Sequence, residues 1–172
     1  MDKDLVMAIE KLKEVRRKGW VDSGIKDAES VADHTCAVSL CVLFASFDNK
    51  KLDVKKALMM ALVHDLAESI VGDITPHDGI SRKDKTEREA EAFKKLIKSL
   101  SKKGQSELLK LWKELEEGKS PEARLVLLAD TFDRIVQAKR YLGQGHDVKR
   151  FFHAIEELKG TEFDGLMLDI LD

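Results

Sequence analysis

The sequence predicts an all-α fold, a helical bundle of about six to eight helices, and three observations carry that expectation. Apolar residues recur at helical spacing in one segment after another. No segment sustains the apolar/polar alternation of a half-buried strand. The 172 residues include only two prolines and ten glycines, against 43% hydrophobic and 36% charged residues, a soluble and helix-favouring balance. A single domain over residues 1–172 is expected, because no repeat or long linker divides the chain and this length buries a substantial core.

Leu5, Ala8, Ile9, Leu12 and Val15 predict a first helix that ends near Lys18 and Gly19, where glycine is a natural stop. Trp20 to Asp33 reads as a loop. It closes with Ser30-Val31-Ala32-Asp33, a serine with an acid three residues on, which caps a second helix from Val31 to Phe47. That helix is apolar almost all round, so a central position is expected. Asp48-Asn49-Lys50-Lys51 turns the chain, and Asp53 caps a third helix through the run Ala57–Val63. If this helix continues, Glu68 stands one turn from both His64 and Asp65, and all three can face one cavity.

Gly72, Pro76 and Gly79 mark Ile70 to Ser81 as a loop over the end of that helix. Ser81 caps a long surface helix with Ala90, Phe93, Ile97 and Leu100 on one side. Leu108, Leu111, Trp112 and Leu115 mark a fifth helix, with Trp112 in the core. Ser120-Pro121 starts a sixth, with proline at the first helical position, which runs to about Tyr141. Val148, Phe151, Phe152, Ile155 and Leu158 predict one more, and the last dozen residues are weakly helical.

The net charge of −2 excludes a global electrostatic drive toward nucleic acid, and basic residues are interspersed with acidic ones. No apolar run reaches the roughly 18 residues of a membrane span. Met1-Asp2-Lys3-Asp4 has no signal-peptide pattern. Cys36 and Cys41 have no disulfide spacing and read as small buried hydrophobes in a reducing compartment. A cytoplasmic protein is expected.

Three separated helices each bring polar groups out of apolar surroundings. The second brings His34, the third His64, Asp65 and Glu68, and the sixth Asp130 after Leu127-Leu128-Ala129. Burying such groups without partners costs several kcal/mol. A lone His-Asp pair is usually a core histidine bonded to its neighbour, and the matching groups elsewhere favour a site instead. Imidazoles mixed with carboxylates suit a divalent ion such as Mn, Fe, Co, Ni or Zn. Two histidines and two aspartates leave positions open for water or substrate, unlike the closed, cysteine-rich structural zinc site.

His34, His64-Asp65 and Asp130, in that order, resemble the HD-domain metal-dependent phosphohydrolases. Gly19-Trp20, Glu29–His34, Leu62–Pro76 and Leu128-Ala129-Asp130 are similar to the 5′-deoxynucleotidase subgroup. The resemblance runs from about residue 5 to residue 140, and residues 141–172 match weakly. It implies one divalent transition metal ion held by His34, His64, Asp65 and Asp130. It also implies that Glu68 handles the proton of the attacking water or leaving oxygen, with Asp73 a second carboxylate near that water. Arg17 then contacts phosphate and Trp20 packs near the nucleotide. A deoxynucleoside 5′-monophosphate substrate and a homodimer are implied too.

Alternatives stay open on the residues themselves. Asp133 could exchange roles with Asp130 or pair with Arg134. Arg17 could be a cation favoured at a helix carboxyl end, and Trp20 a core residue. His77 reads as an exposed loop histidine, and His146 and His153 receive no function. Rival readings are a phosphohydrolase of nucleoside triphosphates or signalling nucleotides, and an inactive metal-binding scaffold. One phosphate-binding arginine suits a single phosphate better than three.

Overall fold

The computed structural model describes residues 2–47 and 49–171. The expected turn at Asp48 therefore begins on a residue outside the described set. The α-helices are α1 (Lys3–Leu12), α2 (Lys18–Val21), α3 (Val31–Phe47), α4 (Val54–Val63), α5 (Glu68–Val71), α6 (Arg82–Leu96), α7 (Lys102–Glu117), α8 (Pro121–Gly143) and α9 (Asp164–Leu171). Three 3-10 helices occupy Pro76–Asp78, Ile97–Ser99 and Lys149–Leu158. Among the described residues there is no strand, only an isolated bridge between Arg16 and Ser30. The all-α class is thus as expected, and among the described residues the α-helical segments number nine because the four-residue helices α2 and α5 stand apart from longer neighbours.

Local chemistry sets most helix starts. Asp33 Oδ2 accepts from the Ser30 backbone N–H at 2.9 Å while Ser30 Oγ accepts the Asp33 N–H at 3.1 Å, the expected reciprocal cap of α3. Asp53 Oδ1 caps α4 through the Lys56 N–H at 3.0 Å, and Ser81 and Ser120 cap α6 and α8.

Three boundaries differ from the sequence expectation. The first helix stops at Leu12 rather than near Lys18, because the chain beyond it pairs with a distant segment. The Arg17 N–H donates to Glu29 O at 3.0 Å and the Val31 N–H to Val15 O at 2.9 Å. The helix bearing His64 also breaks. His64 Nδ1–H donates to Ala61 O at 2.7 Å, a side chain competing for a backbone acceptor, and tighter turns carry the chain to α5. Residues 149–158 wind as a 3-10 helix, tighter than the expected α turn.

The central element is α8, which packs against α3, α4, α7 and the Lys149–Leu158 helix. Val38, Met60, Ala61, Val126, Ala129 and Ile135 form the heart of the main core. A second cluster gathers Trp20, Ile25, Ala138, Tyr141 and Val148, and a third joins Ala67, Phe93, Ile97 and Trp112. One stripe of α3 faces outward: Leu40 is 49% and Phe44 76% exposed, and Cys36 is exposed as well. Cys36 therefore corrects the expectation of a buried thiol. A helix apolar on every side carries no phase from which its buried face can be read. No helix among the described residues is long and apolar enough to cross a membrane.

Phe93 is fully buried and stacks on Trp112 with ring centroids 6.0 Å apart. Phe93→Ala is expected to destabilise the fold by about 3–5 kcal/mol, measured as a shift in the denaturant midpoint at unchanged slope.

Candidate metal centre

Apolar packing of α3, α4 and α8 brings their polar residues to one place. His34 lies fully buried in the first turn of α3, His64 and Asp65 follow the end of α4, and Asp130 sits within α8. Donor atoms of His34, His64 and Asp65 all lie within 4.8 Å of one another. Asp65 Oδ2 is 3.2 Å from His64 Nε2 and 3.7 Å from His34 Nε2. Asp130 joins from α8, its Oδ1 3.2 Å from His34 Nε2. The four residues expected to share an ion thus converge from three separate elements.

Both imidazoles are oriented from behind. A carbonyl can only accept, so the contact of His64 Nδ1 with Ala61 O places the proton on Nδ1. His34 Nδ1 faces Asp133 Oδ2 at 2.7 Å, and this carboxylate holds the ring in the same tautomer. With Nδ1 so engaged, each Nε2 faces the cluster, where a metal ion could take the place of any proton it carries. Asp133 serves His34 rather than Arg134, whose Nη2 donates to Thr131 Oγ1 at 3.3 Å. Glu29, which belongs to the Glu29–His34 resemblance but has no role assigned from the sequence, accepts the Trp20 Nε1–H at 2.7 Å and lies with Asp133 and His34 in one group.

Among the described residues, the buried side-chain polar atoms without a hydrogen-bond partner are His34 Nε2, His64 Nε2, Glu68 Oε2, Asp130 Oδ1, Thr35 Oγ1 and Ser39 Oγ. All but the two hydroxyls belong to this cluster. Buried donors and acceptors are normally satisfied, and leaving several orphaned together costs several kcal/mol. Two imidazole nitrogens and a carboxylate oxygen left unpaired in one place are the donor set of a divalent transition metal, so the residues fit such an ion.

The carboxylates are balanced by Arg17. Its Nη1 is 3.2 Å from Asp65 Oδ2 and its Nη2 3.9 Å from Asp130 Oδ1. Burial alone would lower the Arg17 pKa, but Asp65, Asp130, Asp73 and Glu68 outweigh it and hold the guanidinium above its ordinary value. Burial would likewise raise Asp65, yet His64, Arg17 and His34 keep it well below the usual carboxylate range. Asp130 is held low against burial by His34 and Arg17. Glu68, 3% exposed, goes the other way: burial first, then the charges of Asp65 and Asp73, raise its carboxyl well above the ordinary value. Burial and Arg17 pull His34 down, but Asp130, Asp133 and Asp65 prevail and raise it to about 9.

A cavity of about 550 Å³ opens from this cluster, and Arg17, Trp20, Glu68 and Asp73 all line it. That volume lies within the roughly 300–1,000 Å³ of small-molecule sites. Asp73 Oδ2 accepts the Lys18 N–H at 2.7 Å, fixing the start of α2 beside Arg17. Trp20 is 2% exposed and packs on Tyr141 and Phe151, so it is a core residue that also forms the cavity wall. Three cations unforeseen in the sequence line the cavity: Lys85, Arg134 and Arg150. The cavity therefore does not rest on a single arginine. Each of the three is already engaged, however: Lys85 donates to Ile74 O at 3.0 Å, Arg134 to Thr131, and Arg150 to Gly19 O at 3.1 Å. A smaller cavity of about 310 Å³, lined by Arg82, Glu89 and Glu116, adjoins the cluster at Asp65, Lys85 and Asp130.

Two outcomes follow from this arrangement. Asp133→Asn removes the carboxylate behind His34, and affinity for a divalent transition metal is expected to fall about 10–100-fold in competition with a chelator. The second concerns pH in chelator-treated protein. The folded-state pKa of His34 is raised from 6.5 to about 9, so its stabilising contribution is complete below pH 6.5 and lost as pH rises through 9. The thermal midpoint is expected to fall over that window in the parent protein and not in His34→Gln.

Comparison with known proteins agrees with this geometry. The HD domain family profile matches residues 9–164, which takes in most of the segment past residue 140 that resembled the family weakly. The chain is 39% identical over 145 residues to 5′-deoxynucleotidase HDDC2 of Dictyostelium discoideum, covering 81% of this chain and 76% of that protein. It is 35% identical over 170 residues to 5′-deoxynucleotidase hdd1 of Schizosaccharomyces pombe, covering 95% of this chain and 85% of the relative. Among solved structures, a conserved hypothetical protein of Pyrococcus furiosus is similar with a TM-score of 0.80 at 33% identity, over 98% of this chain and 96% of that one. The resemblance first seen in His34, His64-Asp65 and Asp130 is thus borne out, and the chain belongs to the HD domain family.

Proposed function

We propose that the protein is a metal-dependent phosphomonoesterase that hydrolyses 2′-deoxynucleoside 5′-monophosphates to deoxynucleoside and phosphate. The observation that carries the reading is the trio of unpaired donors, His34 Nε2, His64 Nε2 and Asp130 Oδ1, of which Asp130 also lines the cavity that holds Arg17 and Glu68. The substrate is supported by the relatives at 39% and 35% identity that are named 5′-deoxynucleotidases.

In this reading the chain acts as one catalytic domain, and His34, His64, Asp65 and Asp130 would hold one divalent transition metal ion. When bound, such an ion supplies a Lewis acid for the phosphoryl oxygen and lowers the pKa of a water. Arg17, a buried guanidinium between Asp65 and Asp130, binds and orients the phosphate. Glu68 offers an unpartnered Oε2 and passes a proton between the attacking water and the leaving 5′-oxygen. Asp73, anchored through one oxygen to the Lys18 N–H, turns its other oxygen to position that water. Trp20 packs beside the nucleotide.

The exposed stripe Cys36, Leu40 and Phe44 on α3 supports a homodimer that covers it. Two free cysteines without a bridge fit a reducing cytoplasm.

The test is kcat/KM for matched deoxy and ribo monophosphates and a deoxynucleoside triphosphate, each with several divalent ions. The deoxy monophosphate is expected to lead. Equal deoxy and ribo rates would make the protein a general nucleotidase. Faster triphosphate cleavage would favour a nucleoside triphosphate hydrolase, which Lys85, Arg134 and Arg150 could serve. Glu68→Gln is expected to keep the ion and lose about 10²–10⁴-fold in kcat, with metal content read by elemental analysis.

A further inference from the structure

Two groups of residues line the same cavity: Asp65, Glu68, Asp73 and Asp130 with Arg17, and Phe151 and His153 of the Lys149–Leu158 helix. The second group comes from the part of the chain where the sequence offers no functional reading.

This second group is built into the site and not merely laid over it. The Phe151 ring lies 4.2 Å from Trp20, centroid to centroid, tilted by 48°, and the Arg150 guanidinium stands over the ring 4.9 Å from its centroid. A Cβ on Gly19 would meet Phe151 Cε1 at 3.3 Å, tighter than ordinary contact, so glycine lets the ring close on the Arg17–Trp20 turn. Arg150 Nη2 donates to Gly19 O and to Ser23 Oγ, both at 3.1 Å, and clamps the same turn. The phosphate-facing Arg17 and the Phe151 wall are therefore held at a fixed separation. His153 Nδ1–H donates to the Arg150 carbonyl, which leaves Nε2 with a lone pair on an exposed ring at the cavity.

We infer that Phe151 and His153 form the nucleoside subsite, the base and sugar lying against the part of Phe151 that lines the cavity beside Arg150, with His153 Nε2 accepting a hydrogen bond from the nucleoside. The inference rests on the reading of the site as a 5′-deoxynucleotidase and extends it to residues that set preference for a nucleoside over a bare sugar phosphate. The two groups of lining residues match the two parts of a nucleotide. A monophosphate dianion needs the cation and metal ligands, whereas a base is flat, apolar on its faces and polar on its edge. Contact between a base and an aromatic side chain is sequence-tolerant and tight enough to show in KM.

The test compares a deoxynucleoside 5′-monophosphate with 2-deoxyribose 5-phosphate, which keeps the phosphoester and lacks the base. The wild-type preference for the nucleotide, as a ratio of kcat/KM, is expected to shrink about tenfold in Phe151→Ala and severalfold in His153→Ala, mainly through KM. His153 is exposed, so His153→Ala stands as the second variant should Phe151→Ala fold poorly. An unchanged ratio in both folded variants overturns the subsite. So does a parallel loss on both substrates, which would make Phe151 only a buttress of Gly19 and Trp20. If the wild type cleaves neither compound, the parent reading fails separately. Calorimetric binding of the deoxynucleoside then decides, with equal affinity in wild type and His153→Ala overturning the inference and weaker binding in the variant supporting it.

Discussion

Asp65, Glu68 and Asp130 are gathered at one place, Glu68 buried and the two aspartates partly so, and the repulsion among their carboxyl groups is the constraint on which the surrounding structure depends. Carboxylates in such a place persist only with opposite charges at hand. Arg17 is the permanent one, and reaching Asp65 and Asp130 requires the chain to leave α1 early and run extended beside Glu29. The same excursion delivers Trp20 to the second core cluster and lets Glu29 take its indole N–H. Asp133, one turn beyond Asp130 on α8, reaches His34 from behind. Glu68 has no cation at hydrogen-bonding distance among the described residues, and burial with the neighbouring charges of Asp65 and Asp73 pushes its carboxyl well above the ordinary value instead.

These couplings explain which features were legible in the sequence. The caps at Ser30, Asp53, Ser81 and Ser120 are local, fixed by residues three apart, and their positions could be read directly. His34, His64-Asp65 and Asp130 stood out because each interrupts an apolar run, which makes a polar residue conspicuous. The end of α1 was not legible, since the bonds that stop it join residues 15 and 17 to residues 31 and 29. Nor was the role of Asp133, which depends on the rotation of α8 relative to α3. Lys85, Phe151 and His153 sit in amphipathic helices where a cation or an aromatic is unremarkable, and only the assembled cavity distinguishes them. The outward stripe of α3 was hidden for the opposite reason, because every face of that helix is apolar.

The Lys149–Leu158 helix has a further consequence. At roughly three residues per turn its side chains fall into three straight rows, so that Phe152, Ile155 and Leu158 line the core while Arg150, His153 and Glu156 form a separate outer row. A 3-10 helix advances about 2.0 Å per residue against about 1.5 Å in an α-helix. Ten residues therefore reach some 5 Å further than an α-helix of the same composition would. The tightly wound segment is pinned at Leu158 in the core and, through Arg150, at Gly19, and between these anchors it presents Arg150, Phe151 and His153 to the cavity.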